Sequence, residues 1–556
     1  FKQKTAYEIG VRLVGSEMCI RDRPGSAGQG EGVAAPALPS IELRAAVHEV
    51  EGEAVAALAG CELYQKAPVG LVEVVEAPAL DANASARERM TAPDPGLPIL
   101  LPVTGPRLRS ILSARADFTR WDARAKGYVR VPPPRDIVDG VLARRVYPSE
   151  VVRPLRGIVE APTLRPDGSV LSAPGYDAAT GLLLRWHGPA VDVPERPTLD
   201  DARASFGRLA GLFADFVFEG DEHRRGVGLA ATVAAILTPL ARASIAGAVP
   251  GFLWTADREN AGKSLAAKVC GTIVTGRVPA ARPYPAGEGE MPKVLAELAV
   301  DAPPVALFDD ASCRIGGGDL DAYLTTHDAY AARLMRQNAS TAGLRAVTSL
   351  YFTANGAEVT KSTSGRLVFT KLFGRGRGEH THGGGEGRVY TFPDIIGHAK
   401  AHRAQYLRDA LTILRGHQLA GSPAPTGRRR RDSFEAWSER VAWALAWCSG
   451  FSPVEAHAPD GSDVEGEAAR AAVIAWRGAF GLDVVITAAE LREQLAAADP
   501  SKPGAAGVAV ARSRVQLRNV VAELCDAQDF ARTTPRGIGK RLASRVVGLP
   551  LSLIHI

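Results

Sequence analysis

A lysine and a serine that follow a glycine, at the point where an apolar strand gives way to a helix, can hold a polyphosphate. The chain has this arrangement in GFLWTADRENAGKSLAAKV, residues 251–269, where Gly262, Lys263 and Ser264 open the helix. Amide groups at a helix start point toward an anion, and the helix dipole favours negative charge there. Asn260, Ala261, Gly262, Lys263, Ser264 and Leu265 are therefore expected to wrap the phosphates of ATP, with Lys263 neutralising β/γ-phosphate charge and Ser264 ligating Mg2+. The pattern GxxxxGK[ST] is broken once, because Asp257 stands where its first glycine belongs. A carboxylate beside a triphosphate is unfavourable unless it points away.

Two later segments supply the groups such a loop needs. Residues 304–310 (PVALFDD) read as an apolar strand ending in two carboxylates: Asp309 for the Mg2+ shell and Asp310 to activate water. Residues 347–355 (VTSLYFTAN) read as a further strand ending in Asn355, whose amide can hold the attacking water against the γ-phosphate. Three strand ends in this order within about 100 residues point to an ATPase. Weaker candidates stand apart from them. His380 and His382, in EHTHGGGEG, have metal-ligand spacing but glycine-rich flanks, and Cys313 has no identifiable base. No GxSxG, HExxH or CxxC pattern occurs, so hydrolase, protease and zinc-nuclease readings of those types have no support.

The elements that position these residues must come from a chain of 556 residues with 46% apolar, 23% charged and 6% aromatic content, a globular composition with room for several cores. Both ends are expected to be foreign. Residues 18–22 (MCIRD) can be written ATG TGT ATA AGA GAC, whose complementary strand, GTCTCTTATACACAT, reads in a shifted frame as Ser-Leu-Ile-His, the sequence of residues 552–555. Residues 1–23 and 551–556 thus resemble translated sequencing-adapter sequence, which implies a gene fragment truncated at both ends. Residues 1–23 hold five basic and three acidic side chains, so without them the formal charge of +5 falls to +3, too small for a global nucleic-acid signature. The five cysteines outside these segments (Cys61, Cys270, Cys313, Cys448 and Cys525) are scattered, which argues against a disulfide framework or structural zinc and for the cytoplasm. The longest apolar stretch, residues 226–241, is short for a membrane span and contains Pro239, so a buried helix is expected.

Shifts in composition divide the remainder. Residues 24–40 read as a flexible Gly/Pro/Ala/Ser linker and residues 41–200 as a mixed α/β domain, with a turn at residues 176–181 (YDAATG). Residues 201–395 hold the phosphate-loop core with its leading helices, expected as a three-layer α/β unit with nucleotide at the carboxyl ends of parallel strands. Residues 396–460 read as helical, with a Ser433 cap ahead of Trp437, Trp443 and Trp447, and the basic run at residues 428–431 reads as a solvated loop. Residues 461–550 are expected to form a truncated winged-helix-like region.

The motif order, with Asn355 ending a strand less than 100 residues after Lys263, resembles superfamily 3 helicases and the related AAA+ ATPases. More closely, it resembles the primase/helicase-type ATPases of phages and mobile elements, through residues 162–184, the phosphate-loop core, residues 433–453 and GIGKRLASRVVG near the end. That resemblance implies a ring, most simply a hexamer, that hydrolyses ATP with Mg2+ and acts as a replicative helicase on single-stranded or forked DNA, with no membrane partner. The sequence has no metal-binding primase cluster, so any priming domain is expected to be lost upstream or encoded separately. The resemblance also implies an arginine at the nucleotide: Arg366 in KSTSGRLVFTKL, or Arg333 in AYAARLMRQ as a finger from a neighbouring subunit. Two other readings remain open: an AAA+ remodelling or loading ATPase acting on a protein, and a degenerate nucleotide-binding scaffold, suggested by Asp257.

Overall fold

The structure, a computed structural model, describes residues 38–78, 85, 94–144, 146–256, 261–285, 287, 289–311, 314–326, 330–331, 344–356, 358–373, 390–427, 429–457, 475–481, 486–498, 507–524, 530, 533–536 and 538. It is a mixed α/β protein with several sheets.

Among the described residues, the first part is built from short strands and three helices. Strand β1 (Ser40–Glu42) leads to α1 (Val47–Ala56), then β2 (Leu63–Lys66), β3 (Gly70–Glu76), β4 (Pro98–Pro102), α2 (Gly105–Arg115), β5 (Asp117–Asp122), β6 (Gly127–Arg130), α3 (Arg135–Ala143) and β7 (Arg153–Pro154). These strands form two sheets, in the orders β1-β5-β6 and β4-β3-β2-β7. Val50, Leu58, Leu108, Leu112, Phe118 and Val141 meet in a core of their own. A small third sheet follows, made by β8 (Gly157–Val159), β11 (Gly175–Asp177) and β12 (Leu182–Leu184) after the β9–β10 hairpin (Thr163–Leu164, Val170–Leu171). The expected turn at residues 176–181 joins β11 to β12, and the Asp177 carboxylate closes it by accepting from the amide and hydroxyl of Thr180.

Two helices lead into the central sheet. Helix α4 (Leu199–Leu212) starts at Thr198, whose hydroxyl and the Asp201 carboxylate form a reciprocal capping box. Helix α5 (Glu222–Ala241) starts at Asp221 and is apolar on nearly all sides. The segment Glu222–Ser244 is long and apolar enough to cross a membrane, with a mean hydropathy of 1.5, and 83% of its apolar window is buried inside the fold. It buries that surface against the sheet, where Trp254 donates its indole N–H to Thr232, and against the helical segment that carries Trp437, which donates to Thr238.

Five strands make the central sheet: β13 (Gly251–Ala256), β14 (Ala281–Arg282), β15 (Val305–Phe308), β16 (Ser349–Asn355) and β17 (Leu367–Leu372). Their order is β14-β15-β16-β13-β17, and every pairing is parallel. A parallel sheet is covered on both faces, so its strands are apolar throughout. Strand β13 accordingly is fully buried, with Phe252 and Trp254 in one cluster and Leu253 in the opposite one. Helix α6 (Lys263–Thr275), helix α10 (Ile395–Ala401) and helix α11 (Arg403–Leu419) contribute to the first cluster, and α7 (Glu290–Asp301) and α8 (Gly318–Thr325) to the second. A short helix, α9 (Lys361–Ser364), precedes β17, and α12 (Trp443–Ser449), α13 (Ala488–Ala496) and α14 (Gly507–Leu524) complete the described chain.

Two expectations in the helical region are corrected. Ser433 does not cap the helical turn Glu435–Trp437 that leads toward α12: its φ of 69° lies in the left-handed region, its amide donates to Glu435, and the capping position falls on Phe434. Nor is the basic run wholly solvated. Arg430 is exposed, beside Glu439 and over Trp443, but Arg431 is buried and donates to the carbonyls of Gly365 and Leu367, so it fastens the start of β17. Burial pushes its guanidinium down to about 10. Arg428 and most of the winged-helix-like region lie outside the described residues.

Candidate functional site

Register places the chemistry at one end of the central sheet. Ala256 pairs with Asn355, and Phe308 pairs with Phe352, so the carboxyl ends of β13, β15 and β16 lie side by side. Strand β16 lies between β13 and β15. Its last residues therefore stand between the loop that enters α6 and the acidic end of β15.

The N-terminus of α6 is built to receive an anion. Gly262 occupies the capping position with a φ of 91°, no described side chain caps the helix, and its first turn holds no acidic residue. The two preceding helices are capped by Asp201 with Thr198 and by Asp221; here the first amides are left for another acceptor. Lys263 is 7% exposed, and no described carboxylate forms an ion pair with it. Ala261 is half-buried and Leu265 is exposed.

Ser264, the residue after Lys263 in the same turn, reaches the acidic strand. Its Oγ donates to Asp309 Oδ1 at 2.6 Å, and Thr353 Oγ1 donates to the same oxygen at 2.6 Å. Lys268, one helical turn beyond Ser264, holds Asp309 Oδ2 at 2.9 Å. Burial pushes the Asp309 carboxyl up, but the hydrogen bonds from Ser264, Thr353 and Lys268 and the Lys268 charge outweigh it, and the group sits below the usual carboxylate range. Asp310 follows at a φ of 55°, a left-handed backbone that is costly for a residue with a side chain. Its amide donates to Thr353 Oγ1 at 2.8 Å, which holds the turn. Asp310 and Asn355 are both exposed at this end.

The structure thus brings Gly262, Lys263, Ser264, Asp309, Asp310 and Asn355 to one sheet end. It adds Thr353 and Lys268, which sequence reasoning missed. Spacing was the available signal: Lys268 is four residues after Ser264 on the same helical face, and Thr353 is two before Asn355 on the same strand face. Arg366 is placed elsewhere. Its carbonyl accepts from the Gly251 amide at the opposite end of β13, and its guanidinium donates to Ser362 O and faces Asp321 at 3.9 Å. The length of β13, about 3.3 Å per residue, separates it from Ser264 in its own chain. Asp257, Asn260, Cys313, Arg333, His380 and His382 lie outside the described residues.

Hydroxyl and carboxylate oxygens 2.6 Å apart are hard donors of the kind Mg2+ takes. Among the described residues no group of three or more His, Cys, Asp and Glu side chains could hold a metal ion. A cation here would need further oxygens from a bound phosphate. A cavity of about 330 Å3 lies away from this cluster, between the β8–β12 region and the segments entering β15 and β16, with Thr163, Arg242, Pro304 and Val347 in its lining.

Compared with known proteins, the sequence matches no family and no curated protein. In backbone, it is similar to the A form apo structure of the NrS-1 C-terminal region, with 10% identity over 76% of this chain and 88% of that one, at a TM-score of 0.29. A likeness of that degree carries no argument about this chain.

Proposed function

We propose that the cluster at the end of the central sheet is a P-loop ATPase site and that the protein is an ATP-driven DNA motor, a replicative helicase of a phage or mobile element. The observation that carries the site reading is the contact between Ser264 and Asp309, which ties an uncapped helix N-terminus to an acidic strand end. Amides of the first turn of α6 and the Lys263 ammonium take the phosphates. Ser264 and Asp309 hold Mg2+, which, when bound, neutralises charge that develops on the transferred phosphoryl group. Thr353 fixes Asp309 and the Asp310 turn at once, so the two carboxylates keep separate tasks. Asp310 accepts a proton from the attacking water, and Asn355 orients that water.

The motor reading rests on the resemblance of motif order and flanking segments to phage and mobile-element primase/helicase ATPases. It predicts that purified protein hydrolyses ATP faster when single-stranded DNA is present. Hydrolysis at one rate with and without DNA would remove the helicase reading and leave a remodelling ATPase with a protein substrate.

A further inference from the structure

The β5–β6 hairpin exposes two large aromatic side chains with no packing role. Trp121 and Tyr128 are each 55% exposed, and no described aromatic residue is more so. They are direct cross-strand partners and therefore share a face. Their rings meet edge to face, with centroids 5.4 Å apart. Tyr128 is tethered, its hydroxyl donating to Glu42 Oε1 at 2.6 Å, so the pair is held in place before any partner arrives. An edge-to-face pair leaves a ring face free for a planar group.

The charges around the pair decide which planar group. The hairpin carries four cations, Arg120, Arg124, Lys126 and Arg130, against two carboxylates. Asp117 is engaged by Arg130, and Asp122 accepts from the amides of Arg124 and Ala125 to fold the tip, with Arg120 close enough to help hold its carboxyl below the usual range. Glu42 is taken by Tyr128. Among the described residues, no carboxylate forms an ion pair with Arg124 or Lys126, both exposed in the tip that begins one residue pair beyond the rings. An apolar protein partner would favour apolar surroundings; here the tip beyond the rings is cationic, while Arg120 lies with Asp122 on the opposite face of the hairpin.

We infer that the β5–β6 hairpin is a binding site for single-stranded nucleic acid, with a base stacked on the Trp121–Tyr128 pair and the backbone phosphates held by Arg124 and Lys126 at the tip. Stacking needs only a π-face and the cations need only phosphate, so the site tolerates any sequence. Binding here requires no nucleotide in the Ser264 site, so the hairpin and the proposed motor can each fail without the other.

The test is fluorescence anisotropy of labelled oligo-dT and oligo-U with the full chain in nucleotide-free, low-salt buffer. Trp121→Ala should weaken binding at least about fivefold, the loss expected for one stacked base, while Trp121→Phe keeps most of it. Replacing Arg124 and Lys126 together by Ala should lower the slope of log affinity against log salt by about 1.4, from about 0.7 per lost phosphate contact. The two oligonucleotides distinguish DNA from RNA as the ligand. Wild-type protein that binds neither strand, or variants that bind as the wild type does, would overturn the site. ATPase activity that responds to DNA while Trp121→Ala binds normally would retain the motor and remove the hairpin; normal hairpin binding with DNA-indifferent hydrolysis would do the reverse.

Discussion

Ser264 Oγ and Asp309 Oδ1 share a hydrogen bond of 2.6 Å that joins the first turn of α6 to the end of β15, two elements 45 residues apart in sequence. Thr353, from the strand between them, donates to the same oxygen, and Lys268 closes the other side of the carboxylate. The acid is thus preset beside the helix N-terminus before any phosphate is present.

The first consequence is a separation of defects. Lys263→Ala removes charge compensation for bound phosphate, so affinity for a fluorescent ATP analogue and turnover should fall together. Asp310→Asn leaves the amides and Lys263 in place; binding should persist within about threefold while turnover drops by about 100-fold or more, the usual contribution of a general base. Unchanged binding in Lys263→Ala would locate the nucleotide elsewhere.

Acid should release the Asp309 arrangement. Its carboxyl is held below the usual range in the folded protein, so its contribution is fully present above the unfolded aspartate pKa of about 3.9 and is lost as pH falls through the lower folded value. The melting temperature of the wild type should therefore fall more steeply than that of Asp309→Asn between about pH 4 and pH 2. Parallel curves would mean that the hydrogen bonds to Ser264, Thr353 and Lys268 do not favour the ionised form.

Gly262 is required by backbone and by space. At a φ of 91° a side chain costs about 1–2 kcal/mol, and a Cβ there would stand 3.0 Å from the Phe216 ring. Gly262→Ala should lower stability to urea by at least that amount and weaken ATP binding as the loop shifts. A variant as stable as the wild type would show that the left-handed turn is not kept.

How much of this was legible depended on whether the determinant was local. The strand at residues 251–256, the helix starting at Lys263 and the acidic strand end are written in contiguous apolar runs and their polar stops. Lys268 and Thr353 share faces with Ser264 and Asn355 by spacing, but spacing alone does not say what a face meets; they matter only once the register sets β16 between β13 and β15. Arg366 was read as near the nucleotide because it follows Asn355 in sequence, but a parallel crossover returns the chain to the other end of the sheet before β17 begins. Arg431 looked like part of a solvated basic run, and only the fold shows that one of its members fastens the start of β17.

Arg431→Met measures that last point. The substitution strips the carbonyls of Gly365 and Leu367 of their donor; Leu367 is buried, and a buried unsatisfied carbonyl costs about 1–3 kcal/mol. Urea unfolding should show a loss of about 2 kcal/mol or more, while Arg430→Ala, at the exposed neighbour, should stay within about 0.5 kcal/mol. Equal effects at the two positions would contradict the buried role.

Arginine supply to the site calls for a mixing experiment. In its own chain Arg366 is at the far end of β13, bound to Ser362 and facing Asp321, so Arg366→Ala should leave ATP binding intact. If the proposed ring places an arginine from one subunit at the Ser264 site of the next, an Ala variant of that arginine, Arg333 or Arg366, binds ATP and assembles but does not hydrolyse. Mixing it with Lys263→Ala protein should then restore activity, because some intact Lys263 sites face an intact arginine donated by the other variant. Light scattering with a non-hydrolysable ATP analogue should show assembly under the same conditions. Full specific activity in a monomer at every concentration would reject both the ring and the donated arginine, since a site complete in one chain gains nothing from a neighbour.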